Sequence, residues 1–411
     1  NANKKFFFGK LDLNLPDDYD RENFSNIEKL FSKIEGEPYS LNSVRDILDE
    51  IDLIVLSDQF ETINAVVNES FDFDKINLEF TIKESNKFIV EKINIFGNNI
   101  TRENVIRNNI ILAEGDIYND ILTKKSENNI KSLNIFKSVK ANVKDGSEEN
   151  SKIIEIEVEE KATGEIMAGA GVGTGGGTIS FGVKENNYLG KGIKFDSNLT
   201  LDSESIKGQI AVNNPNYRNS DKSVFFKIQS QETDRLEAFG YKTNKTGFSV
   251  GTGFEYLNDL NLGLETSTFY EDMETDSSAS SKQKSQAGTY IDTFVGASFD
   301  YDKRNQKFKT SKGFRSIYNL DLPVLSDTNT LTNTYRYNFY TELFEDNITS
   351  TSLMFKASNS LSNDNIKLSE RLFIPSRRLR GFENGKIGPK DGEDFVGGNF
   401  ISSLNFNSTI P

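Results

Sequence analysis

Two periods of apolar residues divide this chain. Across residues 1–161, alternating apolar runs flank stretches of helical spacing, whereas from residue 162 onward alternation alone remains. The front part holds an internal repeat, Glu35-Gly36-Glu37-Pro38-Tyr39 returning as Glu114-Gly115-Asp116-Ile117-Tyr118. In the second copy Phe88 and Val90 share one phase and Ile93 and Ile95 the other, which predicts a bulged strand. Gly97-Asn98 ends it, and Thr101 is placed to cap a short helix bearing Val105 and Ile106. A longer helix from Asn119 carries Leu122, Ile130 and Leu133 at helical spacing. Val139/Ala141/Val143 and Ile154/Ile156/Val158 then alternate around an Asp145-Gly146 turn, giving the order β-α-α-β-β. The first copy matches it with Leu11/Leu13/Leu15, Phe24/Ile27/Leu30, Val44/Leu48/Ile51, Ile63/Ala65/Val67 and Ile76/Leu78/Phe80.

Beyond Lys161, Gly164, Gly169, Gly171, Gly173 and Gly175 to Gly177 crowd the first segment. Glycine weakens a strand, so this strand is expected to hold its neighbour loosely. Alternating segments follow at Ile179–Val183, Ile193–Leu201, Val224–Ile228, Phe248–Phe254, Leu260–Phe269, Tyr290–Phe299, Phe314–Leu322, Tyr335–Phe344 and Ser350–Phe355. A last strand is expected near Val396–Asn407, for about twelve in all. Tight connections such as Tyr188-Leu189-Gly190 and Lys312-Gly313 contrast with a long polar one at Glu271–Gln286, the asymmetry of outer-membrane barrels. The competing reading is a soluble β-sandwich or β-helix; a sandwich would have shorter strands, about six residues each, and a denser apolar half.

Composition removes whole classes of chemistry. With no Cys and no His among 411 residues, disulfides, thiolate zinc sites, Cys nucleophiles and His-based triads are impossible. An Asp/Glu-only or Ser-Lys hydrolase site has no visible motif, so no catalytic residue, metal or cofactor is assigned and no enzyme is expected. A net charge of −14 argues against nucleic-acid binding. No apolar run approaches the ~18 residues of a spanning helix, which leaves a transmembrane barrel open because its strands alternate. The start at Asn1-Ala2-Asn3, without initiator Met, reads as a processed or cut chain.

One late stretch gathers these parts. Leu379-Arg380-Gly381-Phe382 is followed by Ile387-Gly388-Pro389 and Val396-Gly397-Gly398-Asn399, with Arg371, Arg377 and Arg378 nearby. It resembles the inward-folded loop of the BamA-type outer-membrane insertases, the surface-antigen barrels with POTRA domains. The string Phe88, Val90, Gly97, Asn98, Gly115 and Tyr118 resembles POTRA modules in the same way. Asn186-Asn187-Tyr188-Leu189-Gly190 and Asp302/Arg304 with Gly313-Phe314-Arg315 resemble that family's strand-turn signatures.

The resemblance implies two α+β POTRA domains (residues 1–84 and 85–161) and an antiparallel transmembrane β-barrel (162–411). That barrel is expected to be incomplete, with about twelve of sixteen strands, and the chain to be truncated at both ends, after Ile410-Pro411 in particular. It implies a lock in which Arg380 reaches carboxylates on the inner wall, a bidentate pairing suited to guanidinium. At Asn405, however, a family glutamate partner is replaced.

As function it implies insertion of β-barrel proteins into the bacterial outer membrane, with the POTRA modules in the periplasm. The modules would receive unfolded clients by β-augmentation, with contacts expected around Phe88–Phe96. The weak strand through Gly169, Gly171 and Gly173 would serve as lateral gate. Implied partners are unfolded outer-membrane barrels, accessory outer-membrane lipoproteins, periplasmic chaperones and outer-membrane lipid. The alternative is a two-partner-type secretion pore or another POTRA-barrel translocase.

Overall fold

A computed structural model describes residues 6–15, 21–55, 63–84, 87–173, 176–305, 310–343, 347–362, 365–383 and 385–409. Asn1-Ala2-Asn3, Gly175, Phe344 and Ile410-Pro411 lie outside the described residues. The chain forms two compact units, residues 1–99 with 109–161, and residues 100–108 with 162–411.

The first unit contains both repeats. One comprises β1 (Phe7–Asn14), α1 (Ser25–Ile34), α2 (Leu41–Val55), β2 (Ile63–Asp72) and β3 (Lys75–Glu84). The other comprises β4 (Ile89–Phe96), α3 (Glu103–Arg107), α4 (Asp120–Ser132), β5 (Phe136–Asp145) and β6 (Ser151–Glu160), of which α3 groups with the second unit. Each sheet has its last strand in the centre, in the orders β1-β3-β2 and β4-β6-β5. The first strand of each repeat runs parallel to that centre and the other antiparallel. Phe8, Phe24, Ile27, Ile47, Leu78 and Phe80 form the heart of the first core, each nearly inaccessible.

The phase change along β4 is a bulge. Its pairing with β6 shifts between Val90 and Lys92, so Val90 and Ile93 are both buried despite their opposite phases. The Asn119 side chain caps α4, accepting from the backbone N–H groups of Ile121 and Leu122 at 2.9 and 3.1 Å. Thr101 does not cap α3, which has Arg102 at its N-cap and no side-chain cap bond.

The repeated Glu-Gly motif closes one edge of each sheet with the same main-chain bonds. In the first copy Gly36 N–H donates to Phe8 C=O, Phe8 N–H to Glu37 C=O, and Tyr39 N–H to Phe6 C=O. In the second, Gly115 donates to Val90, Val90 to Asp116, and Tyr118 to Phe88. Gly36 and Gly115 hold φ of +83° and +98°, where a side chain would be strained. The Glu114 carboxylate extends the second clip by accepting Ile93 N–H at 3.0 Å.

The second unit is a 12-stranded antiparallel meander. It runs through β7 (Gly164–Gly173), β8 (Gly176–Tyr188), β9 (Ile193–Asp202), β10 (Ser205–Asn214) and β11 (Ser223–Arg235), followed by α5 (Leu236–Phe239) and β12 (Tyr241–Leu257). Next come β13 (Leu260–Thr275), α6 (Ser281–Lys284), β14 (Gly288–Asp302), β15 (Gly313–Ser326), β16 (Thr330–Thr341) and β17 (Thr349–Ser360). After a long connection holding the small hairpin β18 (Lys390–Asp391) and β19 (Asp394–Phe395), β20 (Phe400–Ser408) pairs back on β17. Among the described residues β7 and β20 are the two edges, so the sheet is not closed.

Three sequence expectations are corrected. β10 falls in none of the anticipated segments; its Ile206, Ile210 and Val212 alternate with polar and small residues. The last strand begins at Phe400, because Val396–Asn399 leaves the sheet. Glu271 lies in β13, which continues to Thr275, so the polar connection starts later than expected.

Alternation sorts the faces. Phe226 and Ile228 on β11 stand opposite Val250 and Phe248 on β12, and these apolar side chains are exposed on the outer face. Each such side chain loses ~1.5–3 kcal/mol if left in water, a penalty that hydrocarbon removes. The opposite phase carries Glu265, Asp300, Arg315, Asp321, Arg336 and Lys356, with Arg315 bound to Asp300 through two bonds of 2.9 and 2.5 Å.

Gly97 makes the tightest backbone approach in the first unit: at φ +87°, an added Cβ would lie 1.9 Å from the Val158 carbonyl oxygen. Gly36, with a similar φ, has open space around it. Gly97→Ala should therefore lower the stability of the first unit more than Gly36→Ala, by ~2 kcal/mol or more against ~1. Equal shifts in limited-proteolysis or denaturation midpoints would show that the Val158 contact carries no cost.

Candidate functional site

The connection from β17 to β20 folds onto the inner face of its own sheet in three layers. Nearest to β17, Lys367 points its ammonium at the wall. Its Nζ lies 2.8 Å from Glu271 Oε2 on β13 and 2.8 Å from Asp292 Oδ2 on β14, with Glu370 Oε1 at 3.7 Å. Lys367, Glu271 and Asp292 are 2%, 1% and 0% exposed, so water does not screen them. Thr328 adds N–H and hydroxyl bonds to Asp292 at 3.0 and 2.8 Å, and the Tyr290 ring lies 4.4 Å from the ammonium.

The second layer is apolar. Leu368 and Val396 from the connection pack with Phe239, Tyr241 and Met273 at the strand ends, each at most 5% exposed. The third is main-chain. Leu372 and Gly398 exchange N–H···O bonds of 2.8 and 2.9 Å, and Asn399 C=O accepts Ser358 N–H at 2.8 Å. Gly397, at φ +70°, sits where a Cβ would come within 3.0 Å of the Leu372 carbonyl and the Phe373 ring. The β18–β19 hairpin is tied down by Ser280 Oγ donating to Asp391 at 2.8 Å.

Against this frame the anticipated lock sits differently. Arg380, Gly381 and Phe382 are exposed, Phe382 at 60%, and Arg380 has no ion pair among the described residues. Leu379 is half-buried. Arg378 makes the wall contact: its Nη1 donates to Ser352 Oγ at 2.6 Å and to Asn405 Oδ1 at 3.3 Å, and Asn405 Nδ2 returns a 2.8 Å bond to the Arg378 carbonyl. An amide with both donor and acceptor occupied thus stands where the resemblance implied a carboxylate. Ile387 is half-buried, Gly388 and Pro389 are exposed, and the Pro389 carbonyl accepts Val396 N–H at 3.0 Å. Between the connection and the wall lies a cavity of about 550 Å³, bordered by Glu265, Asp321, Arg336, Lys356, Arg371 and Arg377 among others.

On β7, Gly169 and Gly171 face Ser180 and Thr178 of β8, and Gly173 pairs with Gly176, so the strand is paired along its length on one side. An added Cβ at Gly171 meets nothing within 4 Å. In the modules, Phe88 and Val90 carry the clip described above, and the Lys152 ammonium lies 4.4 Å from the centre of the Phe88 ring. Asn98 follows the Gly97 turn. The Tyr118 hydroxyl, half-buried and beside Asp120, is pushed up to about 12, and so stays protonated at physiological pH. Since β4 is filled along Phe88–Ile93 by residues 114–118, the anticipated contact region is largely occupied from within.

Two contributions escaped sequence reasoning. Lys367, Glu271 and Asp292 have no local motif, and only their burial together marks them. The Asn186–Gly190 signature has a concrete role in receiving residues 100–108: Asn187 Nδ2 donates to Thr101 Oγ1 at 2.9 Å and Arg102 N–H to Gly190 C=O at 2.8 Å. An added Cβ at Gly190 would lie 2.1 Å from the Ile100 carbonyl, which explains that glycine.

Comparison with known proteins gives the same arrangement. The family model described as the Omp85 superfamily domain matches residues 187–411, and that of the surface antigen variable number repeat, POTRA, matches 88–161. The outer membrane protein assembly factor BamA of Neorickettsia risticii is 27% identical over 80% of this chain and 45% of its own length. BamA of Nitratidesulfovibrio vulgaris is 22% identical over 84% and 44% respectively. The chain thus spans less than half the length of these curated relatives. Among solved structures, BamA from Haemophilus ducreyi lacking POTRA domains 1-3 superposes with a TM-score of 0.63 at 16% identity, covering 98% of this chain and 82% of that one. CdiB from Acinetobacter baumannii gives 0.50 at 12% identity, covering 100% and 78%. At these identities the two structures speak for the fold alone.

Arg378→Ala should expose residues 376–388 to protease, because it removes two side-chain bonds worth roughly 1–3 kcal/mol together. Arg380→Ala should leave cleavage of that segment unchanged. Limited proteolysis of the two variants in membranes checks this, and the reverse order would restore Arg380 as the wall contact.

Proposed function

This chain belongs to the Omp85 superfamily, and on that premise we propose that it takes part in assembling β-barrel proteins into the bacterial outer membrane. The modules stand in the periplasm and the 12-stranded sheet spans the membrane. The work is done without cofactor or covalent chemistry: hydrogen bonds are exchanged between client and machine. A strand entering hydrocarbon must satisfy every backbone N–H and C=O, and a templating strand supplies those partners as water leaves. β7 is that template, its glycines reducing the side-chain packing that would otherwise hold it to β8. Unfolded outer-membrane barrels are the clients; accessory lipoproteins and chaperones deliver them.

One observation carries the part played by the modules. The repeated clip occupies the start of the β1 edge, at Phe6–Phe8, and of the β4 edge, at Phe88–Ile93, so β2 and β5 offer the longer edges for an added strand. On β5 the Glu127 carboxylate takes the Ala141 N–H at 3.1 Å, whereas no described residue pairs with the outer edge of β2. Val66 and Phe71 on β2 are exposed, at 44% and 68%. Client segments in extended form therefore add to β2 by main-chain bonding, with little dependence on their sequence.

Depletion of the full-length protein in its source bacterium should remove many unrelated outer-membrane barrels together. Loss of a single secreted protein with the barrels intact would sink this reading and favour a secretion pore, the alternative for a fold shared with CdiB. Photocrosslinkers at Val66 and Phe71 should capture nascent barrel precursors, while one at Ile89, itself 50% exposed, should not. Capture at Ile89 with none at β2 would reject the edge assignment.

A further inference from the structure

We propose that Lys367 is a charged pin that holds the β17–β20 connection against the inner face. As a statement about what this loop does for client assembly it rests on the function proposed above; as a statement about what holds the loop it does not.

The geometry is that of a socket. Glu271 and Asp292 come from adjacent antiparallel strands, where Glu271 pairs with Tyr290, and both face inward. Their carboxylates bracket one ammonium at 2.8 Å each. A second cation, Lys245 on β12, stands 3.8 Å from Glu271 Oε2. Burial of ions is costly unless each has partners, and here the wall carboxylates would lose their main cation if the connection lifted away. Pairing is also directional: Leu368 N–H donates to Gln286 Oε1 at 2.9 Å, which fixes the backbone beside the pin. Lys367 is a positioning residue: it sets where Leu368, Leu372 and, through the Leu372–Gly398 bridge, Val396 rest.

These 411 residues carry no cysteine, and any cysteine elsewhere in the full-length protein is first replaced by serine. Val396→Cys, at a position 4% exposed, reports loop lifting through its rate of labelling by a membrane-impermeant maleimide in the full-length protein in outer membranes. In that background Lys367→Met should raise the labelling rate about tenfold or more, since it leaves two buried carboxylates without their principal cation. Glu271→Gln should raise it too. The double variant Lys367→Met/Glu271→Gln should fall well short of the product of the two single effects, because the partners act as a pair.

Unchanged labelling in Lys367→Met overturns the proposal, as does a purely multiplicative double variant. Should Lys367→Met fail to accumulate as a folded, heat-modifiable barrel, Asp292→Asn, which keeps shape and removes one charge, is read identically, and unchanged labelling there overturns it equally. Client assembly is scored separately by outer-membrane barrel content. Fast labelling with normal assembly upholds the pin and refutes its part in the proposed function. Slow labelling with lost assembly overturns the pin and leaves the proposed function standing.

Discussion

Main-chain hydrogen bonding is the constraint on which everything else in this molecule depends. Hydrocarbon offers no substitute for water, so a sheet that lies in it must pair each N–H and C=O within protein. Between its two edges the 12-stranded meander meets this through continuous antiparallel ladders, some with unbroken register across the full strand, as between β11 and β12. The same currency governs the modules, where an unpaired edge invites any extended chain. The Glu-Gly clip closes the start of one edge of each sheet. The repeat thus has a physical reason: glycine at positive φ lets a tight turn present two N–H groups and a carbonyl to the first strand.

Much of the secondary structure was legible because its determinants are local. The bulge in β4 announced itself as a change of phase between Val90 and Ile93, and the Asn119 cap as a polar residue ahead of a helical run. β10 was harder to see, since Gly208 interrupts its apolar phase and Lys207 and Gln209 make it look like a connection. β13 was cut short at Glu271 because a charged run reads as solvated loop. A carboxylate 1% exposed is tolerated there only because Lys367, far along the chain, returns to it.

The site was legible as a segment and not as a set of contacts. Leu379-Arg380-Gly381-Phe382 marks the connection, yet the side chains that grip the wall lie on either side of it: Lys367 and Leu368 before it, Arg378 just ahead, Val396 and Gly398 after. Which arginine of Arg377, Arg378 and Arg380 turns inward depends on local backbone geometry, and one-residue spacing around a short 3-10 turn at Ser376–Arg378 reverses it. Thr101 teaches the same lesson. Its sequence position suits a cap, but tertiary demand from Asn187 takes its hydroxyl instead.

The division of labour within the connection follows from how each force depends on environment. Apolar contacts between Leu368, Val396 and the strand ends are non-directional and would hold the loop in several neighbouring poses. The Leu372–Gly398 bridge selects register but joins two parts of the same connection, so alone it does not tie them to the wall. The ammonium of Lys367 supplies what these lack, a link to two particular strands, and it is strong only while the surrounding residues exclude water. Pin and apolar layer are therefore cooperative: wetting the cluster weakens the ion pairs, and breaking the ion pairs leaves charges that draw water into the cluster.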